Sequence, residues 1–185
     1  MSSPRPATAT TVDAETQHRV EQFLYREAEL LDTFALEEWF ELLDEDVRLE
    51  VPVRSARHPG SERPEFSEET NYLREDYEMI RERVGRLAKE YAWSENPRSR
   101  IRHVIGNVRV LETDGDELTV ANNQHVFRSY GDTPDHDLLS AQRHTTLRRE
   151  GPAGADGEWN YTIGHRTVYL DHAVLNTKNL TLPLL

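Results

Sequence analysis

Four histidines, His103, His125, His144 and His165, fall singly into four runs of alternating residues, and Tyr25 and Asp32 sit in an earlier stretch of helical period. An imidazole beside a carboxylate makes a general base near neutral pH, able to take a proton next to a carbonyl. If a curved sheet capped by helices encloses a cavity, these six side chains could line it. A mononuclear iron site of two histidines and one carboxylate needs three converging ligands. No HxxxH or HExxH pair is present to begin one, and "DHD" at 135–137 lies in a turn, where solvated acids are ordinary. Patterns GxSxG, GxGxxG and GxxxxGK[ST] are also absent, which removes the common hydrolase elbow and the phosphate-cradling loops.

A second candidate set is basic. Arg98, Arg100, Arg102, His103 and Arg109 share one alternating run and its entry, whereas the early helical stretches are crowded with glutamate. One use is internal, with guanidinium groups pairing to acids on covering helices, worth little where exposed. The other is external: planar, multi-donor arginine is favoured where carboxylates or main-chain oxygens of another subunit must be bridged. The residues alone leave both uses open.

Elements must position these groups. From Asp13 to Leu31 the residues Val20, Phe23, Leu24, Leu30 and Leu31 recur every three or four positions, predicting a helix with one buried face and Asp13 as its N-cap. "ALEEWFELLDED" predicts a second, short helix with Leu36, Trp39, Phe40 and Leu43 on one face. The period then becomes two in "VRLEVPVR", a strand whose Pro52 belongs at a sheet edge or beside a bulge. Residues 55–68 read as an exposed loop, and "EDYEMIRERVGRLAKEY" as a third helix with Tyr77, Ile80, Val84 and Leu87 on its stripe. Four strands follow at 99–112, 117–130, 138–149 and 158–170, divided by "TDGDE", "GDTPDHD" and "GPAGADGE". Runs of that length imply a strongly twisted, curved antiparallel sheet, with Gly106, Gly164 or Asn123 as candidate bulges. Helices, one strand, a helix and then a meander make an α+β fold.

Composition bounds the partners. The chain has 185 residues, enough for one domain, here expected over 15–185 behind a disordered lead-in at 1–14. It contains no cysteine, so disulfides, thiol nucleophiles and cysteine-ligated zinc or iron–sulfur centres are excluded within it. A formal net charge of -12 argues against nucleic acid as partner, and no apolar run is long enough to span a bilayer. With no secretory pattern at the start, a cytoplasmic location is expected. Arginine supplies nearly all the basic charge, Lys89 and Lys178 being the lysines; such an acidic, lysine-poor surface would suit solubility in high salt.

Three separated blocks carry a resemblance. "VEQFLYREAELLDTFALEEWFELLDEDVRLEVPVR", "RERVGRLAKEYAWSENPRSRIRHVIGNVRV" and "VYLDHAVLNTKNLTLPL" occur in the order in which similar blocks occur in the small, or beta, subunit of aromatic-ring-hydroxylating dioxygenases. The resemblance spans about residues 18 to 183 and includes Arg83, Leu87, Trp93, Arg100, Arg102, His103, Asp171, Ala173, Asn179 and Leu180. It implies a cone-shaped fold shared with ketosteroid isomerase and scytalone dehydratase, with no catalytic site, metal or cofactor of its own. It further implies three small subunits joined to three large ones, the large subunit carrying a Rieske [2Fe-2S] cluster and a mononuclear iron. Electrons would arrive through a reductase and ferredoxin. On that view Arg83, Trp93, Arg100, Arg102, His103, Asp171 and Asn179 are structural or interfacial. The competing expectation is a free-standing dehydratase or isomerase using a histidine and a carboxylate among His103, His125, His144, His165, Asp32 and Tyr25.

Overall fold

A computed structural model describes residues 11–55, 64–87, 99–132, 134–150 and 161–175. Trp93, Arg98, Asn179 and the lead-in up to residue 10 lie outside them. Helix α1, Ala14–Asp32, begins as expected: the Asp13 carboxylate accepts the main-chain N–H of Thr16 at 2.8 Å. All five residues of its predicted stripe are buried. Helix α2, Leu36–Phe40, is shorter than the sequence pattern suggests, because the chain enters strand β1 already at Leu43. The acids that made 43–46 look helical serve the sheet instead. Asp44 lies 3.0 Å from the Arg148 guanidinium, which also binds Asp46 and Glu117.

Strand β1 is Leu43–Arg54, and β2 is Phe66–Asp76, across residues assigned above to a loop and the start of a helix. β2 is an edge strand without a buried face, so it lacks the apolar alternation that would mark it. Helix α3, Tyr77–Leu87, follows with Ile80 and Val84 buried. The meander then runs through β3 (Arg100–Asp114), β4 (Glu117–Ser129), β5 (His136–Arg149) and β6 (Tyr161–Leu170).

These strands form one curved sheet in the order β2-β1-β6-β5-β4-β3. Every neighbouring pair is antiparallel except β1 and β6, which run parallel. Pro52 therefore does not lie on an edge strand; it occupies a register break in the β1–β2 pairing, where its missing donor is tolerated. Two of the three proposed bulges occur. β3 slips between Gly106 and Arg109, with Asn107 at a φ of 53°, and β6 slips around Gly164. A Cβ on Gly164 would meet the Arg148 guanidinium at 3.0 Å, so glycine lets that arginine lie across β6. Asn123 pairs regularly with Gln142.

Alternation gives the sheet two different faces. The inner face, turned to α1, carries Ile101, Val110, Val120, Val126, Leu139, Leu147, Ile163 and Val168, which pack with Phe23, Leu24, Leu31 and Trp39 into one core. Among these apolar side chains the same face also buries His103, Asn122, Gln124, Arg128, Arg143, Thr145 and Arg166. No described helix is long and apolar enough to cross a membrane.

Candidate functional site

A cone-fold catalyst would keep its reacting groups on the inner face under α1. Here that space is occupied by an ion cluster. Glu27 takes a place on the apolar stripe of α1, one turn from Phe23 and one from Leu31, and points at two arginines of the sheet. Arg166 on β6 makes a two-pronged contact with its carboxylate, with Nη2 donating to Oε2 at 3.0 Å and Nη1 to Oε1. Arg143 on β5 donates from Nη2 to Oε2 at 3.2 Å, and Trp39 Nε1 donates to Oε1 at 3.4 Å. Beyond the acid, Arg166 Nε donates to Thr145 Oγ1 and Arg143 Nε to Asn122 Oδ1.

All three charged side chains are 0% or 1% exposed. Burial alone would raise the Glu27 carboxyl; the guanidinium groups of Arg166 and Arg143 outweigh it and hold the group at about 2, against an ordinary 4.5. Burial and the like charge of Arg166 push Arg143 down to about 9, so it remains charged at neutral pH. The cluster thus carries one negative and two positive charges, and fills the interior with fixed groups that are engaged with one another.

Of the six candidate acid–base residues the structure brings together two. Asp32, at the C-terminal end of α1, meets His103 on β3 with Oδ1 2.7 Å from Nδ1. The same oxygen accepts the His103 main-chain N–H at 2.9 Å, while Oδ2 accepts Arg102 Nη1 at 3.1 Å. Both members are buried, and His103 Nε2 has no hydrogen-bond partner and no exposure. β3 is a sheet edge, so Asp32 also caps one of its main-chain donors; Gln17, in the first turn of the same helix, donates from Nε2 to the Val108 carbonyl at 3.1 Å. Helix α1 therefore seals the edge against further strand pairing.

The remaining four candidates point elsewhere. His125 and His144 belong to the outer face because their strand neighbours Gln124 and Arg143 are inward. His165 is about half exposed, with Nε2 3.7 Å from Glu50, and Tyr25 is exposed on α1. His144 packs edge-on against Tyr169, ring centroids 5.3 Å apart, and burial together with the Arg109 charge lowers its pKa. These separations follow from alternation and register, which the sequence alone leaves unpinned. Among the described residues no three metal-ligating side chains converge.

The arginine-rich run is largely engaged within the chain. Arg100 donates to Ser129 Oγ at 3.2 Å and to the Gly131 carbonyl at 2.5 Å, and Arg102 remains mostly exposed apart from its bond to Asp32. Arg83 is buried and lies 2.5 Å from Glu75. Asp171 accepts Ser140 Oγ at 2.6 Å and donates its main-chain N–H to the Ser140 carbonyl at 2.9 Å, holding the end of β6 to β5.

The outer face offers a different kind of site. Phe127 on β4 lies opposite both Arg102 on β3 and Leu138 on β5, with Val104 diagonal to it. Val104, Phe127 and Leu138 are 58%, 41% and 55% exposed, so the sheet presents a contiguous apolar patch to solvent. Next to it a pocket of about 360 Å³ is lined by Arg54, Phe66, Asn123, His125, Gln142 and Tyr169, among others.

Comparison with known proteins matches residues 26–177 to the family described as ring hydroxylating beta subunit. The chain belongs to that family. It is 34% identical over 174 residues to biphenyl 2,3-dioxygenase subunit beta of Rhodococcus jostii (strain RHA1), covering 92% of this chain and 89% of the relative. Among solved structures, naphthalene 1,2-dioxygenase with indole bound superposes with a TM-score of 0.79 at 24% identity, over 93% of this chain and 87% of that one. A putative scytalone dehydratase from Novosphingobium aromaticivorans DSM 12444 reaches a TM-score of 0.55 at 14% identity, over 85% of each chain. Those two likenesses bear out the expected cone-type α+β fold. For a ring-hydroxylating beta subunit, the inner ion cluster was the part not anticipated from sequence.

Loss of Asp32 tests its sealing role. Asp32→Ala removes the acceptor of three donors, two of them on buried His103, and is expected to cost about 3 kcal/mol. A urea denaturation midpoint equal to that of the parent chain would refute this, whereas a lower midpoint with increased light scattering is expected from the uncapped edge.

Proposed function

We propose that this chain is the non-catalytic small subunit of a multicomponent Rieske non-haem iron dioxygenase that cis-dihydroxylates an aromatic compound. Its partners are the catalytic large subunit and further small subunits in an α3β3 hexamer, with electrons passing from NADH through a reductase and ferredoxin. The complete enzyme adds both atoms of dioxygen to the ring, and the two electrons from NADH with two protons balance the cis-dihydrodiol. The [2Fe-2S] cluster and mononuclear iron belong to the large subunit; this chain has no cysteine to ligate the former. The location is cytoplasmic.

The observation that carries this reading is the Glu27–Arg143–Arg166 cluster. Where a cone-fold enzyme holds substrate, this chain packs three ionised side chains with almost no exposure. The membership of the family supports the same conclusion. Binding surface is then expected on the outer face, around Val104, Phe127 and Leu138, with Arg100 and Arg102 at its border. Arg83, His103 and Asp171 serve the fold that presents it, and Trp93 and Asn179 are assigned to the same structural or interfacial group.

The competing dehydratase or isomerase reading has one observation in its favour, the Asp32–His103 pair. Substrate would have to reach His103 Nε2, which is fully buried. Co-expression with the large subunit tests both readings. An equimolar hexamer by mass, dihydroxylating an aromatic substrate while the small subunit alone is inert, is the expected result. A chain that remains alone and turns over a carbonyl or hydroxyl substrate without iron would overturn it.

A further inference from the structure

Three charged residues reach the outer-face pocket from the ends of separate strands: Arg54 closes β1, Glu65 precedes β2 and Asp171 follows β6. The Arg54 guanidinium is already engaged. Its Nε donates to the Leu170 carbonyl at 2.6 Å, Nη1 pairs with Glu65, and its carbon lies 4.6 Å from the centre of the Phe66 ring. Asp171 stays 3.6 Å from Nη2, beyond hydrogen-bond length, and its side chain is 58% exposed. Across the floor Asn123 and Gln142 stand directly opposite one another on β4 and β5, Tyr169 continues their row on β6, and His125 is two residues on from Asn123. The side chains of Asn123, Gln142 and His125 make no hydrogen bond within the described residues.

We propose that this pocket is the socket for an arginine side chain of the large subunit, an inference that rests on the assembly reading above. Amides both donate and accept, so Asn123 and Gln142 suit an occupant of either sign and the charges decide. One guanidinium faces two carboxylates, and Arg109 stands outside the pocket, in the row of Ala121 and His144. An anion would meet Asp171 and Glu65 with the Arg54 donors turned to those same acids and to Leu170. A cation meets Asp171 and two amide oxygens. Among cations, a planar, multi-donor guanidinium matches acceptors that stand side by side and stacks on aromatic rings such as Tyr169, whereas an ammonium is a compact point charge. The position fits the partner: His125 and Ser140, opposite one another in the pocket, are two residues from Phe127 and Leu138 of the apolar patch, and Val104 lies opposite His125. A subunit that covers the patch also covers the socket.

Affinity of the full chain for its separately purified large subunit, measured at low and high salt, reads the sign of the occupant through two variants of one residue. Gln142→Lys is expected to weaken binding about 30-fold or more, whereas Gln142→Glu binds as tightly as the parent or tighter. Asp171→Asn keeps an acceptor for Ser140 Oγ, and is expected to weaken binding about tenfold and to flatten its salt dependence. The opposite order of the two Gln142 variants, equal losses from both, or a Gln142→Lys chain that binds like the parent overturns the socket and leaves the assembly reading standing. A parent chain that does not bind the large subunit overturns both. Circular dichroism checks the fold of each variant; if a Gln142 variant is unfolded, Asp171→Asn decides, and unchanged affinity and salt dependence there overturn the proposal.

Discussion

Glu27→Leu is expected to cost about 3–5 kcal/mol or more, enough to unfold much of a domain whose whole stability is about 5–15 kcal/mol. Leucine fits a position on the apolar stripe of α1, so loss of packing contributes little. The cost comes from the sheet: Arg143 and Arg166 keep their charges, remain buried, and lose the carboxylate that both face. Replacing all three together, as Glu27→Leu with Arg143→Met and Arg166→Met, should recover much of the loss, since apolar side chains can replace a buried ionic group without leaving a charge unpaired. Urea denaturation followed by tryptophan fluorescence is a suitable measurement because Trp39 donates to Glu27. A single variant as stable as the parent would show that the cluster does not hold the interior. Acid gives the same test without mutation. The folded Glu27 pKa is depressed from 4.5 to about 2, so its contribution is fully present above about pH 4.5 and disappears as pH falls toward 2. The difference corresponds to about 3 kcal/mol, which Glu27→Gln would remove from the pH dependence of stability.

How far the cluster was legible depends on which residues are asked. Val20, Phe23, Leu24, Leu30 and Leu31 declared their helix face through spacing, and all are buried. Glu27 lies on that same stripe, between Phe23 and Leu31, but one acid in a glutamate-rich helix looks like solvated surface. Its partners gave an equally quiet signal. Arg143 falls in step with the inward residues Ala141, Thr145 and Leu147, and an acid on the helix stripe facing arginines in inward strand positions is the pattern that could have revealed the site. For Arg166 the Gly164 bulge shifts the alternation, so the register had to come from the structure. Edge strand β2 was missed because neither of its faces is buried, and the start of β1 because its acids pair with Arg148 rather than with water. His103 stood in both candidate sets of the sequence reading. That its ring turns inward to Asp32 while His125 turns outward follows from pairing register, on which period alone is silent.

Phe127→Asp and Leu138→Asp are each expected to weaken assembly with the large subunit by 100-fold or more while leaving the small subunit folded. Both side chains are on the outer face and substantially exposed, so a carboxylate there remains hydrated in the isolated chain. In a complex that buries the patch, the same carboxylate must be desolvated without a partner, and a factor of 100 needs only about 3 kcal/mol, within the range of interface hot spots. Phe127 should show the larger effect: it lies between Arg102 and Leu138, and its ring packs 5.3 Å from that of His136, which fixes its orientation. Met79→Asp is the control, since Met79 is 50% exposed on α3 and away from the patch. Co-purification with the large subunit and the mass of the complex provide the readout, with circular dichroism confirming the fold of each variant. If Met79→Asp disrupts assembly with the large subunit and the two sheet variants do not, the assembly surface lies on the α3 side, and the outer sheet face is free in the complex. If the sheet variants alone fail to assemble, the division of labour between faces follows: α1 and its buried acids close the interior, and the sheet surface turned away from them holds the partner.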